Sequence, residues 1–194
     1  SSAVSVDAEG NAHVVYADAE SGEVFYRIRD IDGAWSTAEV IVDEEGWAGE
    51  YLDIATDSMN NPHIAFTILE ADEATRGLYY IYLDEEGVWS GIYDVDTGVN
   101  MPPLQEGEEP TEPTPFDVGR YVDIELDSRD NPLFAYMDNN REVPVVAEFS
   151  QTGRTRTQDQ DYRITGSTGH YISLALDSAN RVHTAFHNLS LIHI

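Results

Sequence analysis

Apolar and polar residues alternate in short runs that return along the chain. Leu52 and Ile54, then Val122, Ile124 and Leu126, then Ile172, Leu174 and Leu176 each take every second position of a five- or six-residue stretch. A period of two over so few residues predicts β-strands with one face turned to a core. Each run leads into a polar cluster that opens on an aspartate, at Asp7, Asp57, Asp127 and Asp177, with Asn11, Asn61 and Asn131 four positions on. Such an aspartate accepts hydrogen bonds from the amides just ahead, and Asn or Gly tolerates positive φ near the end, so the clusters predict hairpin turns. Pro62 and Pro132 stand where the second strand begins, a place that needs no ladder donor.

The hairpins are copies of one another. Residues 1–18, 51–68, 121–138 and 171–188 align without gaps, with starts at Ser1, Tyr51, Tyr121 and Tyr171. An aromatic recurs nine positions after each aspartate (Tyr16, Phe66, Tyr136, Phe186) and is assigned to packing between neighbouring sheets. A third strand is predicted over 23–29 and 78–83, and a fourth over 38–42, 91–95 and 162–165. Between them, Asp30, Gly33, Trp35 and Ser36 recur as Asp84, Gly87, Trp89 and Ser90, and the third unit keeps Ser150, Gly153 and Thr155. Gly33 and Gly87 permit the turn backbone, and Trp35 and Trp89 can cover a hydrophobic edge. Units hand over through a glycine two residues before an aromatic: Gly49 and Tyr51, Gly119 and Tyr121, Gly169 and Tyr171.

A unit of about 50 residues and four antiparallel strands cannot bury both its faces alone, and stacking around an axis solves that. The fold class expected is all-β, a β-propeller fragment of about three and a half four-stranded antiparallel blades. A sandwich would leave the recurrence of the turns unexplained, and a parallel β-helix repeats at a shorter period. The blades read as 1–50, 51–118, 119–168 and a partial 169–188. Residues 97–115, with five Pro and four Glu, read as a solvent-exposed insertion that widens one interval to 70 residues. The last six residues, 189–194, resemble the translation of a sequencing-library adapter, so they are read as a non-native tail and the chain as a metagenomic fragment. Three and a half blades do not close a ring. The expected partners of the open edges are missing blades of a parent chain, or a second copy.

Composition narrows the partners. Of 194 residues 37 are Asp or Glu and 10 are basic, all of them Arg, for a net charge of -27. A surface this negative repels nucleic acid and anionic membranes and would attract cations or a basic protein. Acidic surfaces poor in Lys resemble those of proteins from salt-loving organisms. The 11 Tyr, 6 Phe and 3 Trp suffice for a core, and with no Cys there is neither a disulfide nor a thiolate site. No stretch approaches the roughly 20 apolar residues that span a bilayer, so membrane insertion is not expected.

The repeat resembles those of large bacterial multi-bladed β-propeller proteins, and the turns at Trp35 and Trp89 resemble degenerate Asp-boxes of sialidase-like propellers. That box is expected to read Ser-x-Asp-x-Gly-x-Thr-Trp. Here Asp30 and Asp84 lie three residues before their glycines, and each Trp follows its Gly by two. The resemblance implies a propeller in which these turns are structural. An enzyme of that family would carry an arginine cluster, a Tyr with a Glu partner and an acid Asp. Arg120, Tyr121, Asp123 and Glu125 offer those chemistries without a recognisable motif, so no catalytic residue is assigned. His13, His63 and His183 share one repeat position, where the third unit has Leu133, and are candidates for a structural or channel-lining role rather than a zinc site. The aspartate turns lack the dense ligand series of a calcium loop, and no cofactor is expected. The function expected is a binding or scaffold module of a secreted protein, extracellular or periplasmic, with carbohydrate as a candidate ligand. The alternative is a fragment of a secreted sialidase-like or other glycoside hydrolase, and enzymatic activity is left open.

Overall fold

The computed structural model describes residues 1–44, 46–70, 75–97, 116–149, 156–158 and 168–188. The expectations that rest on Ser150, Gly153, Thr155, residues 162–165, nearly all of the insertion and the tail 189–194 lie outside them. The described residues form four antiparallel sheets, each ordered as in the chain. The first holds β1 (Ser2–Val6), β2 (Ala12–Ala17), β3 (Val24–Arg29) and β4 (Glu39–Val42). The second holds β5 (Trp47–Thr56), β6 (Pro62–Leu69), β7 (Arg76–Tyr82) and β8 (Tyr93–Asp96). The third holds β9 (Val118–Leu126), β10 (Pro132–Asp138), β11 (Val143–Glu148) and β12 (Arg156–Gln158), and the fourth β13 (Thr168–Leu176) and β14 (Val182–Asn188). Successive first strands β1, β5, β9 and β13 lie side by side without closing a ring, as in part of a β-propeller.

Two strands depart from the sequence pattern. β11 carries Pro144 and went unpredicted, yet it pairs along β10 from Leu133↔Glu148 to Asp138↔Val143. The described fourth strand of that sheet is β12, three polar residues held to β11 through Val146↔Gln158 and its neighbours. So short an edge strand has no alternation to read. The first strands also begin earlier than the pattern showed, at Trp47, Val118 and Thr168. In each, the pairing register shifts at the Gly-x-Tyr step, which is a β-bulge.

Three cores lie between the sheets. Val15, Val24, Tyr26, Leu52, Ile64 and Phe66 join the first two. Tyr80, Val122, Ile124, Phe134, Tyr136 and Phe149 join the second and third, and Leu133, Ala135, Met137, Ile172 and Leu174 join the third and fourth. Burying each large side chain contributes about 1.5–3 kcal/mol. β6 and β10 have sheets on both sides and are buried almost throughout, whereas β2 is only partly covered. The repeated aromatic follows suit: Phe66 and Tyr136 are fully buried, while Tyr16 lies half-buried against Phe25 on the open face of the first sheet, with Val4 and Val6 exposed nearby. Trp89 packs edge-on against Tyr26 of the preceding sheet, with ring centroids 5.2 Å apart. Its counterpart Trp35 is half exposed under the Arg27 guanidinium.

The turns link the sheets as well. Asp7, Asp57, Asp127 and Asp177 each accept, on Oδ1, the amides two and four residues ahead. The fourth turn residue is left-handed in every unit, as Gly10, Asn60, Asp130 and Asn180. Where it has a side chain, that side chain reaches back to the preceding turn. Asn60 accepts the Ala8 amide at 3.1 Å, Asp130 the Ser58 amide at 3.0 Å and Asn180 the Ser128 amide at 3.1 Å. The left-handed residue thus serves its own hairpin and clamps two blades together.

Candidate functional site

The first strands put their aromatic and acidic residues along the axis. Tyr51, Tyr121 and Tyr171 form a ladder of rings, with centroids 5.0 Å apart for the first pair and 4.9 Å for the second. They border a cleft of about 270 Å³ with Leu52, Val122 and Ile172. Tyr121 and Tyr171 have φ of 57° and 54°. A bulky side chain in that region costs roughly 1–2 kcal/mol, so the bulge presents these rings at the expense of backbone strain. Strain of this kind concentrates at functional sites.

Farther along the same strands lies a second, polar cleft of about 310 Å³, lined by Ser5, Asp53, Thr56, Asp123 and Glu125. The acids serve the exposed edge of the next strand. Asp53 Oδ2 accepts the Ile124 amide at 3.0 Å and Asp123 Oδ2 the Leu174 amide at 2.9 Å. Burial, opposed by that amide and reinforced by the neighbouring Asp123 carboxyl to which it is hydrogen-bonded, lifts Asp53 to about 7. Burial, then Asp123, also raises Glu125. This end of the site can therefore hold a proton near neutral pH and accept hydrogen bonds from hydroxyl groups.

An ion-pair cluster backs the tyrosines. Arg76, buried and with no hydrogen-bond partner at Nε, bonds Glu50 through Nη2 and Asp117 through Nη1, and its guanidinium lies over the Tyr51 ring at 5.6 Å. Arg120 binds the same carboxylate, with Nε 2.9 Å from Asp117 Oδ1. Burial alone would raise Asp117, but the two guanidiniums hold it below the usual carboxylate range. Tyr51 is pushed up by burial and then by Glu50.

The histidines sit elsewhere. His13 and His63 are on second strands and buried; neither borders the axial clefts. His13 Nδ1 lies 2.7 Å from the Tyr26 hydroxyl and Nε2 3.2 Å from Asp7 Oδ2. All three groups are satisfied when the hydroxyl donates to Nδ1 and Nε2–H donates to the aspartate. His63 repeats this, 2.6 Å from the Tyr80 hydroxyl and 3.6 Å from Asp57, and burial lowers its pKa. In the third sheet Leu133 stands for the histidine, and Val146 occupies the place of the tyrosine, so the polar pair is exchanged as a unit. His13 and His63 thus spend their ring nitrogens on hydrogen bonds within their own blades. His183 is exposed beside Asp177 at 3.3 Å.

Of the residues singled out from sequence, Tyr121, Asp123 and Glu125 come together at the axis, and Arg120 stands beside them. Asp53 was missed, although it occupies the repeat position of Asp123. Gly33, Trp35, Gly87 and Trp89 are in the turns after β3 and β7, away from the axial clefts. In those turns Asp30 and Asp84 accept the amides of Ala34 and Val88 at 2.7 Å. Among the described residues no group of three or more His, Asp or Glu is placed to hold a metal ion, and no helix is long and apolar enough to cross a membrane.

No protein-family model matches the chain, and no curated protein matches it. Among solved structures it is similar to an endo-arabinase from Bacteroides thetaiotaomicron VPI-5482, at 11% identity over 96% of this chain and 69% of the other, with a TM-score of 0.55. A fucose lectin from Kordia zhangzhouensis, solved with methyl-fucoside, matches at 13% identity over 82% of this chain and 98% of that one, with a TM-score of 0.46. Neither of the two is a sialidase, so the sialidase-like resemblance broadens to distant structural similarity with carbohydrate-active, propeller-like folds. At 11% identity the endo-arabinase likeness is one of fold alone.

Proposed function

We propose that this chain is the sugar-handling part of a secreted propeller of the glycoside hydrolase kind, extracellular or periplasmic, which takes a glycan on the tyrosine ladder at its axis. The ladder carries the reading: three rings in edge-to-face and tilted contact, two on strained backbone, border a cleft, with Asp53, Asp123 and Glu125 next along the same strands. Tyrosine faces stack on the apolar faces of sugar rings, and carboxyl groups bind their hydroxyls. A fold shared with an endo-arabinase supports the hydrolase over the plain binding module.

One observation favours the module. Asp53 and Asp123 are hydrogen-bonded to each other and each holds a neighbouring strand's amide. Carboxyl groups that hydrolyse glycosides stand about 5–9.5 Å apart, flanking the bond. In the module reading the pair stiffens the axis and only the tyrosines meet the ligand. Calorimetry with arabino- and cello-oligosaccharides and sialyllactose, run alongside a reducing-end assay, separates the two. Binding with release of new ends supports the hydrolase, and binding without release supports the module. No heat with any glycan at 1 M salt and no released ends would sink both.

A further inference from the structure

The junction between the first and second sheets differs from that between the second and third. At the later junction Arg76 Nη1 bonds Asp117, and Asn139 Nδ2 bonds the same carboxylate at 3.0 Å. Trp47 and Leu69 stand at the equivalent earlier positions for Asp117 and Asn139. Because Ala17 pairs with Val24 as Thr67 pairs with Leu78, Gly22 falls where Arg76 does. Gly22 has φ of 77°, and a Cβ there would lie 2.9 Å from the Gly46 carbonyl oxygen, so no larger side chain fits without strain. Near this junction lies a cleft of about 480 Å³, lined by Ser1, Ala17, Asp18, Trp47, Glu50 and Leu69 among others.

The lining has the character of a sugar site. Trp47 is 46% exposed although it heads a strand of the fold's interior. Asp18 uses Oδ1 to accept the Glu20 and Ser21 amides, and those amides hold its carboxyl below the usual range. Oδ2 has no hydrogen-bond partner among the described residues. Glu50 is exposed, with Oε2 held by Arg76. Ser1 borders this cleft and also the tyrosine cleft, so the two adjoin on one face.

We propose that the Trp47 cleft is a second subsite, which takes one neutral sugar unit of an oligosaccharide whose other units lie on the tyrosine ladder. Two carboxylates beside the indole, in a chain of net charge -27, disfavour uronic or sulfated units and suit hydroxyl donors. This rests on the carbohydrate reading above and adds a direction to it, from the axis out to the first inter-sheet groove.

The test is chain length. Calorimetry with arabinose, arabinobiose and arabinotriose, repeated with the cello series, is expected to show roughly tenfold tighter binding for the trimer than for the monomer. Trp47→Ala removes the gain of trimer over monomer, and Trp47→Phe, which keeps a ring, retains part of it. A readout free of truncation uses Trp35→Phe, in which Trp47 is the exposed indole: the trimer should protect its fluorescence from acrylamide quenching and the monomer should not. Tyr121-dependent binding with no length effect, no Trp47 dependence and no protection overturns the subsite alone. No binding by any sugar overturns the carbohydrate reading and the subsite with it.

Discussion

Replacing Asp53 with asparagine separates the proton on the axis from the hydrogen bonds around it. Asparagine still offers a carbonyl oxygen to the Ile124 amide and gains an N–H for Asp123, so the geometry is kept while the titration is lost. In the native protein Asp53 is raised from 3.8 to about 7 by burial and by Asp123. Between those values the unfolded chain has released the proton and the folded chain retains it, so stability falls by ~1.4 kcal/mol per pH unit. The contribution is whole below the unfolded value and is lost as pH rises through 7. Over the window it amounts to roughly 4 kcal/mol, of which about 2 kcal/mol falls between pH 5 and pH 7. Urea unfolding of both proteins at constant salt, followed by tryptophan fluorescence at pH 5, 6, 7 and 8, measures it. The variant should gain on the native protein by that amount as pH rises, then hold level. Parallel profiles would refute the reasoning, because the acids elsewhere act on both proteins alike.

Three further substitutions test the packing. His13→Leu leaves the Tyr26 hydroxyl buried without its partner at 2.7 Å and should cost about 1–3 kcal/mol in urea unfolding; adding Tyr26→Phe, which removes the stranded hydroxyl and keeps the ring against Trp89, should recover most of it. Gly49→Ala places a Cβ 2.6 Å from that of Ala17 at a φ of 76°, and should lower stability by about 2 kcal/mol or more, read as a shift of the same midpoint. Asn60→Ala removes the bond to the Ala8 amide and should cost about 1 kcal/mol, with hydrogen exchange at Ala8 accelerated beyond that at Ser128.

Much of the fold is legible in the sequence because the hairpin is written out four times. The turn aspartates, the left-handed asparagines and the alternation around Ile54, Ile124 and Leu174 each follow from local backbone chemistry. What escapes is non-local. The bulge before Tyr121 depends on how Val118 and Arg120 pair with Asp138 and Met137, and the pairing of Asp53 with Asp123 joins residues 70 apart in the chain. That Gly22 stands where Arg76 stands one blade on is a relation visible once the pairing registers are known. The exchange of His and Tyr for Leu133 and Val146 is likewise half visible, since the sequence shows the lost histidine but not its partner.

The claim that a glycan is held on the axial tyrosines is tested most directly by titrating arabinotriose into the native protein and into Tyr121→Ala side by side in the calorimeter. Tyr121 is the middle ring of the ladder, in contact with both Tyr51 and Tyr171, and it packs on the edge of the core between the third and fourth sheets without being buried in it. The account predicts saturable binding by the native protein and at least a tenfold loss in the variant, measured at a temperature where urea unfolding shows both proteins folded. Equal affinity in the two proteins would contradict it.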